Sequence, residues 1–284
     1  MLHQLITILS VSSLVVVIFY LAELLGGKAR KLSASDIIID LSTFVLPDVL
    51  LDPTIVMIVA WGTATLLPGK AGALANTPVW LQFVAFLVFE DMVNYWWHRC
   101  AHTFPKLMWP MHLAHHTPTY MSATICRRNS FLYTFLFPNR YFAAVLVYLG
   151  YGETFVWYSA IKNVVLTGAH SDLRWDSFLY RYKFLEPVAW LVERTISTPA
   201  THFAHHAQRE DDGIGFYNGN YSNLLFFWDV LFGTAKITRK YPLEFGVVVD
   251  PVTGPEPWYV QLFYPLLSRT HQAAAEPAPM LSER

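Results

Sequence analysis

The hydrophobic residues of the chain fall into long runs that predict membrane-spanning helices. Residues 5–25 and 78–97 form two such runs, each close to the ~20 residues that a bilayer requires. Residues 131–150 and 154–169 predict two further spans. Residues 36–69 are also apolar but are interrupted by prolines and aspartates. This pattern favours a broken or re-entrant span whose polar groups are buried in protein rather than in lipid.

Three shorter apolar stretches follow and contain aromatic residues. Residues 188–192, 222–232 and 258–267 suit helices that lie in the membrane interface better than helices that cross it. The tail from residue 271 has the composition of a disordered segment. The first hydrophobic run has no positive segment before it and no small-residue cleavage site after it, which favours a retained anchor over a cleaved signal peptide.

The chain shows no internal repeat and no long linker, so it predicts one integrated domain. Within this domain the pattern separates N-terminal membrane spans, a histidine-box region, and a C-terminal interfacial segment with its tail. These three parts cover residues 1–77, 78–240 and 241–284.

Lysines and arginines are concentrated in alternate loops. If residues 36–69 cross the membrane once, the chain has five spans and all the basic loops lie on the same side of the membrane. The positive-inside rule makes that side cytoplasmic and leaves the N-terminus outside. The other two loops, residues 68–77 and 150–153, contain a single lysine between them. The basic loops are residues 26–35, 98–130 and 170–242.

Composition supports a membrane protein and excludes nucleic-acid binding. Hydrophobic residues make up 54% of the 284 residues, and charged residues make up 14%, well below the roughly 25% of soluble domains. The formal net charge of −1 offers nothing for a polyanion. The two cysteines, Cys100 and Cys126, can form neither a disulfide framework nor an iron–sulfur cluster alone.

Nine of the 11 histidines are spaced as metal ligands. Residues three or four apart share a face of a helix, so each box is predicted to aim its imidazoles to one side. Neutral imidazole binds zinc, copper, iron and nickel. Nine nitrogens exceed what one ion with four to six ligands needs, and they fit two ions with four or five each. The candidates are His98 and His102; His112, His115 and His116; His170; and His202, His205 and His206.

Two polar residues are candidates for orienting the ligand rings. Asp91 precedes His98 by seven residues and Asn163 precedes His170 by seven, which places each pair on one face of a helix, two turns apart. A carboxylate or amide there can accept the free N–H of a ligand ring. Cys100 lies inside the first box but off the histidine face, so it is not predicted to be a ligand.

Five segments carry a family resemblance. They are DMVNYWWHRCAH, HLAHHTP, AHSDLRW, TPATHFAHH and NYSNLLFFWDVLFGT. In this order, over roughly residues 80–235, they resemble the fatty acid hydroxylase/sterol desaturase superfamily. Ser222 replaces the usual glycine after Asn-Tyr, and Thr117 replaces a common serine after the second box. Both departures lie outside the boxes and bear on the subfamily rather than on the chemistry.

The resemblance implies an integral membrane, non-haem di-iron oxygenase. Combined with the span pattern, it predicts an all-α, multi-pass transmembrane bundle with a cytoplasmic histidine-box cap. The nine histidines are then ligands of two iron ions, with zinc possible in purified protein. The implied reaction is hydroxylation of an unactivated C–H bond of a fatty acyl, sterol or related lipid, with O2 and two electrons.

The resemblance also implies partners and a location. No His-Pro-Gly-Gly haem-binding element of a fused cytochrome b5 domain occurs in the sequence, so a separate donor of the ferredoxin or cytochrome b5 type is expected. The bacterial inner membrane is favoured over the endoplasmic reticulum.

Other functions remain open from the residues alone. The same cage serves a lipid or sterol desaturase, and its sequence does not decide between a hydroxyl and a double bond. A histidine-rich transporter is disfavoured because no inverted repeat is visible. A zinc hydrolase is disfavoured because catalytic zinc uses three protein ligands.

Overall fold

The computed structural model describes residues 2–28, 30, 32–249 and 254–267, and this part of the chain is helical. Its one β-type pairing is an isolated bridge between Ala207 and Phe245. The predicted all-α class is therefore confirmed, whereas the tail from residue 271 lies outside the described residues. The α-helices are α1 Leu2–Leu25, α2 Ala34–Leu46, α3 Asp52–Leu66, α4 Val79–Phe86, α5 Met92–Thr103, α6 Trp109–His116, α7 Phe131–Leu136, α8 Pro138–Leu146, α9 Gly152–His170, α10 Ser177–Arg181, α11 Glu186–Thr195, α12 Pro199–His205, α13 Phe227–Phe232 and α14 Trp258–Phe263.

Helices α2 and α3 form one continuous helical stretch, joined by a wide π turn over Pro47–Leu51. The prediction of a broken or re-entrant span is therefore wrong. Proline cannot donate to the preceding turn and clashes with its carbonyl. The helix nevertheless continues past Pro47 through the wide turn, in which the N–H of Asp52 bonds five residues back to the carbonyl of Pro47. By length and hydropathy, Ala34–Leu66 is the one helical stretch in the described part that qualifies to cross a membrane.

Arginines neutralise the aspartates of this stretch. Arg128 is fully buried and forms ion pairs with Asp36 and Asp40, while Arg140 pairs with Asp52. The side chain of Asp48 lies outside the described residues. Because a buried charge is tolerated only when it is paired, these contacts explain why aspartates can occur in an apolar helix.

The predicted fourth span is divided, and the chain then doubles back. Pro138 starts α8 directly after α7, so residues 131–150 form two helices rather than one. At Gly150 the backbone has φ 119°, and a Cβ there would lie 2.8 Å from the amide nitrogen of Ala75. Only glycine fits this turn. The start of α9 is thereby held against the loop before α4, as the 2.8 Å bond from Leu74 N to the carbonyl of Leu149 shows.

A buried polar cluster ties α8 and α9 to the wide turn between α4 and α5. The Glu90 carboxylate accepts hydrogen bonds from Lys162 Nζ at 2.6 and 2.7 Å, and from Tyr158 and Asn139. Lys162 Nζ also lies 3.9 Å from Asp91. Removing one partner would leave an uncompensated buried charge, so this cluster fixes how the helices carrying the first box and His170 are placed.

The histidines lie at the opposite end of α9 from the Gly150 turn. A helix of this length spans about 28 Å, from Gly152 to His170. The C-terminal helix α14 packs on α2 and α6, and Thr117, directly after the second box, donates to Gln261 at 2.9 Å.

Candidate metal centre

The structure gathers all nine predicted histidines into one buried cluster made of two groups. Within each group the candidate ligand nitrogens lie within 4.8 Å of one another. Eight of the rings are buried and His102 is partly buried. The first group has five nitrogens, from His98, His102, His112, His116 and His205; the second has four, from His115, His170, His202 and His206.

The second and third boxes are each divided between the two groups. Residues four apart stay together: His112 and His116 face the first group, and His202 and His206 face the second. The second histidine of each of these boxes, His115 or His205, lies three residues after the first and faces the other group. Positions three and four residues along a helix differ by about 100° around the axis. The second and third boxes therefore serve both groups, which differs from the expectation that a box aims all its rings to one side, whereas His98 and His102 of the first box share one group.

Five rings are held by hydrogen bonds at Nδ1, with a carbonyl or amide oxygen as partner. The separations are 2.6 to 3.1 Å. Because these oxygens accept, Nδ1 carries the proton and Nε2 keeps its lone pair. This is the arrangement typical of metal-ligating histidine. The pairs are His98 with Tyr221 O, His112 with Asn129 Oδ1, His115 with Ile125 O, His170 with Leu166 O and His205 with Gly219 O.

The facing Nε2 atoms are placed to bind a cation between them. His98 Nε2 and His205 Nε2 lie 3.0 Å apart, and His115 Nε2 and His170 Nε2 lie 3.3 Å apart. All four are lone-pair atoms, so neither contact is a hydrogen bond. Two nitrogens at about 2.1 Å from one ion and at 90–109° to each other are about 3.0–3.4 Å apart. The donor set therefore fits a metal ion in each group.

Several further ring nitrogens also lack a protein partner. Nε2 of His102, His112 and His116 is buried without a hydrogen bond in the described structure. A buried polar atom without a partner is costly, and all three atoms belong to the five-nitrogen group. An ion at this position would satisfy them together.

Burial keeps the rings neutral. It lowers the pKa of His98 to about 4, and it lowers the pKa of His115 and His206 well below 6.5, with neighbouring histidines adding to the effect. Desolvation disfavours the charged imidazolium. The lone pairs are therefore free for a metal at neutral pH.

Comparison with known proteins decides the family. The model of the fatty acid hydroxylase family matches residues 83–234, which contain all nine histidines and the WDVLFGT segment. The chain belongs to the fatty acid hydroxylase family. No solved structure matches it.

Curated relatives share part of the chain. Alkylglycerol monooxygenase of Danio rerio is 28% identical over 193 residues, which is 66% of this chain and 37% of that protein. Alkylglycerol monooxygenase of Xenopus tropicalis is 26% identical, over 64% and 35% of the two chains. Very-long-chain aldehyde decarbonylase GL1-8 of Oryza sativa subsp. indica is 26% identical, over 58% and 55%. The match thus spans just over a third of the monooxygenases and about half of the decarbonylase.

In this fatty acid hydroxylase family member, the two residues predicted to orient ligand rings have other described partners. Asp91 accepts from Trp228 Nε1 at 2.9 Å and from Leu225 N at 3.1 Å. Asn163 donates to Ser12 Oγ at 2.8 Å and to a backbone carbonyl of its own helix. The ring nitrogens Nδ1 of His98 and His170 bond to backbone carbonyls instead. Asp91 therefore anchors the loop before α13, and Asn163 joins α9 to α1.

The ring-orienting groups that the sequence did not reveal are mostly backbone carbonyls. Tyr221 and Gly219 supply two of them from one loop. Asp229 holds this loop, since its carboxylate accepts from Tyr221 N at 2.9 Å and from Ser222 N at 2.8 Å. Asp229 belongs to the WDVLFGT segment, so the segment was visible in the sequence but its role was not. Every residue has a backbone carbonyl, so the sequence does not indicate which carbonyls orient the histidine rings.

Replacing Asp229 with alanine is expected to weaken metal binding in the five-nitrogen group. The loop would lose the acceptor for two buried N–H groups, and the carbonyl of Tyr221 would no longer be fixed against His98. Loss of such outer contacts typically costs about 10–100-fold in metal affinity or activity. Metal competition titration measures this. Asp211→Ala, which removes an exposed carboxylate paired with Arg209, should bind metal like the parent.

The metal-free protein is expected to lose stability as the pH falls from about 6.5 towards about 4. The folded pKa of His98 is about 4, against 6.5 without burial, so in this window the unfolded chain binds more protons than the folded one. Stability therefore decreases with acidification and is independent of these rings above about pH 7. Denaturant unfolding in detergent at several pH values measures the slope. A free energy of unfolding that stays constant over this window would contradict the expectation.

Proposed function

We propose that the protein is a membrane-bound oxygenase that hydroxylates an unactivated C–H bond of a lipid, using O2 and external electrons. The observation that carries the proposal is the pair of histidine groups, with five and four nitrogens, in a chain of the fatty acid hydroxylase family. No thiolate, serine nucleophile or phosphate-binding glycine loop stands among these ligands. Nitrogen donors in this number suit two metal ions that handle oxygen.

All nine histidines are proposed as ligands of two iron ions, and zinc is a plausible substitute in purified protein. Bound iron would supply the activation of O2 and the removal of hydrogen from the lipid carbon. The chain itself does three things at this centre. Its carbonyls hold Nδ1–H and aim Nε2 inward, its packing excludes water from the rings, and burial keeps the imidazoles uncharged.

We propose that the chain crosses the bilayer several times, with the histidine groups on the cytoplasmic side of a bacterial inner membrane. The support is that the loops poorest in lysine and arginine contact each other at one end of the helices, where Gly72 N bonds to Tyr148 O at 2.9 Å. The basic loops lie towards the histidine end. A lipid could then reach the centre from the membrane, and electrons could reach it from the cytosol.

Single-cysteine labelling is expected to place Lys70 and Lys106 on opposite sides of the membrane. Both positions are exposed, and the first lies at the Gly150 end while the second lies between the first two boxes. With Cys100 and Cys126 replaced by serine, Lys106→Cys should react in inside-out vesicles and Lys70→Cys in right-side-out cells. Labelling of both from one side would contradict the multi-pass arrangement.

The proposed partners are a lipid, O2 and a separate electron donor of the ferredoxin or cytochrome b5 type. Ether lipids are the first substrates to test, because two of the relatives are alkylglycerol monooxygenases. Fatty acyl chains and sterols are the next substrates to test. Comparing the lipids of a deletion strain with those of the parent would identify the natural substrate by the gain or loss of mass.

The deciding experiment uses iron-loaded protein in lipid with labelled dioxygen and a reducing system. The expected product is a lipid that carries one oxygen atom from O2. Unlabelled product that lacks two hydrogens would assign desaturation to the same centre. Product that forms without O2, or that takes oxygen only from water, would reject the oxygenase and favour a zinc hydrolase. Metal analysis of the same sample separates both enzymes from a transporter.

A further inference from the structure

An aromatic ring outside the histidine boxes lies against the five-nitrogen group. Tyr221 is 4% exposed, and its ring centroid lies 5.4 Å from that of His102 and 5.7 Å from those of His98 and His205. The ring of Tyr95 follows at 6.2 Å from Tyr221. Tyr221 thus lies directly beside the candidate metal position, and Tyr95 lies behind Tyr221.

The row of rings continues to the protein surface. Trp96 lies 5.5 Å from Tyr95 and is 41% exposed. Phe232 packs against both, at 5.3 Å from Tyr95 and 5.0 Å from Trp96. Arg99 lies over Trp96 with Cζ 5.1 Å from the ring centroid. The path from the histidines to the protein surface therefore consists of adjoining aromatic side chains.

Tyr95 has a built-in proton acceptor. Its hydroxyl lies 2.9 Å from Thr234 Oγ1, and Thr234 donates its own proton to Asp229 Oδ1 at 2.6 Å. Because Thr234 donates to the carboxylate, its oxygen accepts from Tyr95. A tyrosine gives up an electron readily only when its phenolic proton can leave at the same time. Burial, which raises the pKa of Asp229, makes this carboxylate a better base.

We propose that Tyr221, Tyr95 and Trp96 form a relay that drains oxidising equivalents from the metal centre when no lipid C–H bond is in place. This inference rests on the proposed oxygenase function. The relay is distinct from the ligands, and it gives Tyr95 and Trp96 of the NYWW segment and Thr234 of the WDVLFGT segment a role beyond holding the metal centre in place. Its outlet is Trp96, which lies at the end of the predicted third span beside Arg99, where a reductant at the membrane surface can reach it.

The electron and proton balance is complete. Tyr95 passes one electron through Tyr221 to the oxidised centre, while its proton moves to Thr234 and the proton of Thr234 moves to Asp229. Trp96 then returns an electron to Tyr95 and the protons move back. A thiol or the separate electron donor reduces Trp96. Two such transfers, with two protons from solvent, reduce the unused oxygen atom to water.

A competing outlet is Trp109, which lies 5.0 Å from His102 and 5.2 Å from His116 and is partly buried. It is a single ring with no tyrosine and no described proton relay beside it. The test must therefore separate Trp96 from Trp109.

The experiment uses iron-loaded full-length protein in a fluorinated surfactant, whose C–F chains cannot be hydroxylated. Hydrogen peroxide supplies both oxygen and electrons, so no donor protein is needed. Peptide mass spectrometry maps the residues that gain oxygen, and iron release is followed in parallel. Metal-free protein treated in the same way gives the background. In the parent protein, iron-dependent oxidation is expected at Trp96.

Tyr95→Phe keeps the ring and removes only the hydroxyl. It should reduce oxidation of Trp96 to the metal-free background, move the oxidation to Tyr221 and the histidines, and speed iron release. Thr234→Val should do the same with Tyr95 still present. Trp190→Phe is the matched control, since Trp190 is also exposed and covered by an arginine, Arg194, at 4.8 Å. This variant should behave like the parent.

The outcomes are distinct. Equal oxidation of Trp96 in the parent and in Tyr95→Phe would overturn the relay, as would iron-dependent oxidation at Trp109 in place of Trp96. Formation of lipid product together with either result would leave the oxygenase intact. If iron causes no oxidation of lipid or protein in any variant, both the relay and the oxygenase are rejected.

Discussion

Alanine at His115 or at His205 is expected to remove one metal ion each, from different groups. His115 belongs to the four-nitrogen group and His205 to the five-nitrogen group, although each is the second histidine of its box. Loss of an outer partner of a ligand already costs about 10–100-fold in metal affinity. Loss of the ligand itself should exceed about 100-fold and abolish lipid turnover.

Metal analysis of the purified variants measures this expectation. The parent should hold two ions per chain and each variant one, and His115→Ala should lose its ion more completely because only three nitrogens remain. Gln208→Ala is the control, since Gln208 lies beside the third box and donates to a backbone carbonyl outside both groups. If a variant keeps both ions and full turnover, the replaced histidine is not a metal ligand.

The hydrophobic pattern predicts the helices well where the chain is uninterrupted. Runs at residues 5–25, 78–97 and 154–169 all lie in helices of the structure. The hydrophobic pattern does not predict helix boundaries at prolines, because a proline can lie inside a continuous helix or begin a new one. Pro47 is absorbed by a wide turn inside one long helix, whereas Pro138 starts a new helix. Which outcome occurs depends on tertiary contacts that the sequence does not display.

The partners of buried charges are also hidden in the sequence. Arg128 lies 92 residues from Asp36 and 88 from Asp40. Glu90 lies 72 residues from Lys162. Aspartates in an apolar run indicate that basic partners lie nearby in the folded protein, but the sequence alone does not identify those partners.

The candidate ligands could be predicted because spacing along a helix survives in the sequence. Their division into two groups could not, since it depends on how helices α5, α6, α9 and α12 cross. The same limit explains why the described partners of Asp91 and Asn163 are not the histidine rings that these residues were predicted to orient. A position two turns before a histidine shares its helix face, yet at about 10 Å along the axis another element can intervene. For Asp91 that element is the loop carrying Leu225 together with the start of α13, which carries Trp228.

The first helix contributes to the candidate site although it lies outside the residues matched by the family model. Glu23 is 3% exposed, and its carboxylate accepts from Ser122 Oγ at 2.8 Å and Ala123 N at 2.9 Å. It also accepts from Ser171 Oγ at 2.7 Å and Asp172 N at 3.2 Å. One carboxylate thus joins the loop after the second box to the loop after α9.

Replacing Glu23 with alanine is therefore expected to destabilise the protein strongly. Two buried amides, of Ala123 and Asp172, would lose their acceptor, at a cost of about 2–6 kcal/mol, since each buried unpaired donor costs about 1–3 kcal/mol. Ser171 follows His170, and Ala123 lies two residues before Ile125, whose carbonyl holds His115. The ion of the four-nitrogen group should consequently be lost before that of the five-nitrogen group.

Thermal unfolding in detergent and metal analysis of Glu23→Ala measure the two effects separately. Glu23→Gln should be intermediate, because an amide keeps one acceptor oxygen for four donors. Glu153→Ala is the matched control, a glutamate on the exposed side of α9, and it should unfold like the parent with both ions bound. Equal loss of both ions in Glu23→Ala would point to global unfolding, whereas parent-like stability would show that these four hydrogen bonds do not hold the loops. Selective loss of the four-nitrogen ion in folded protein is the result expected if the first helix sets the position of His170 and His115 through this one carboxylate.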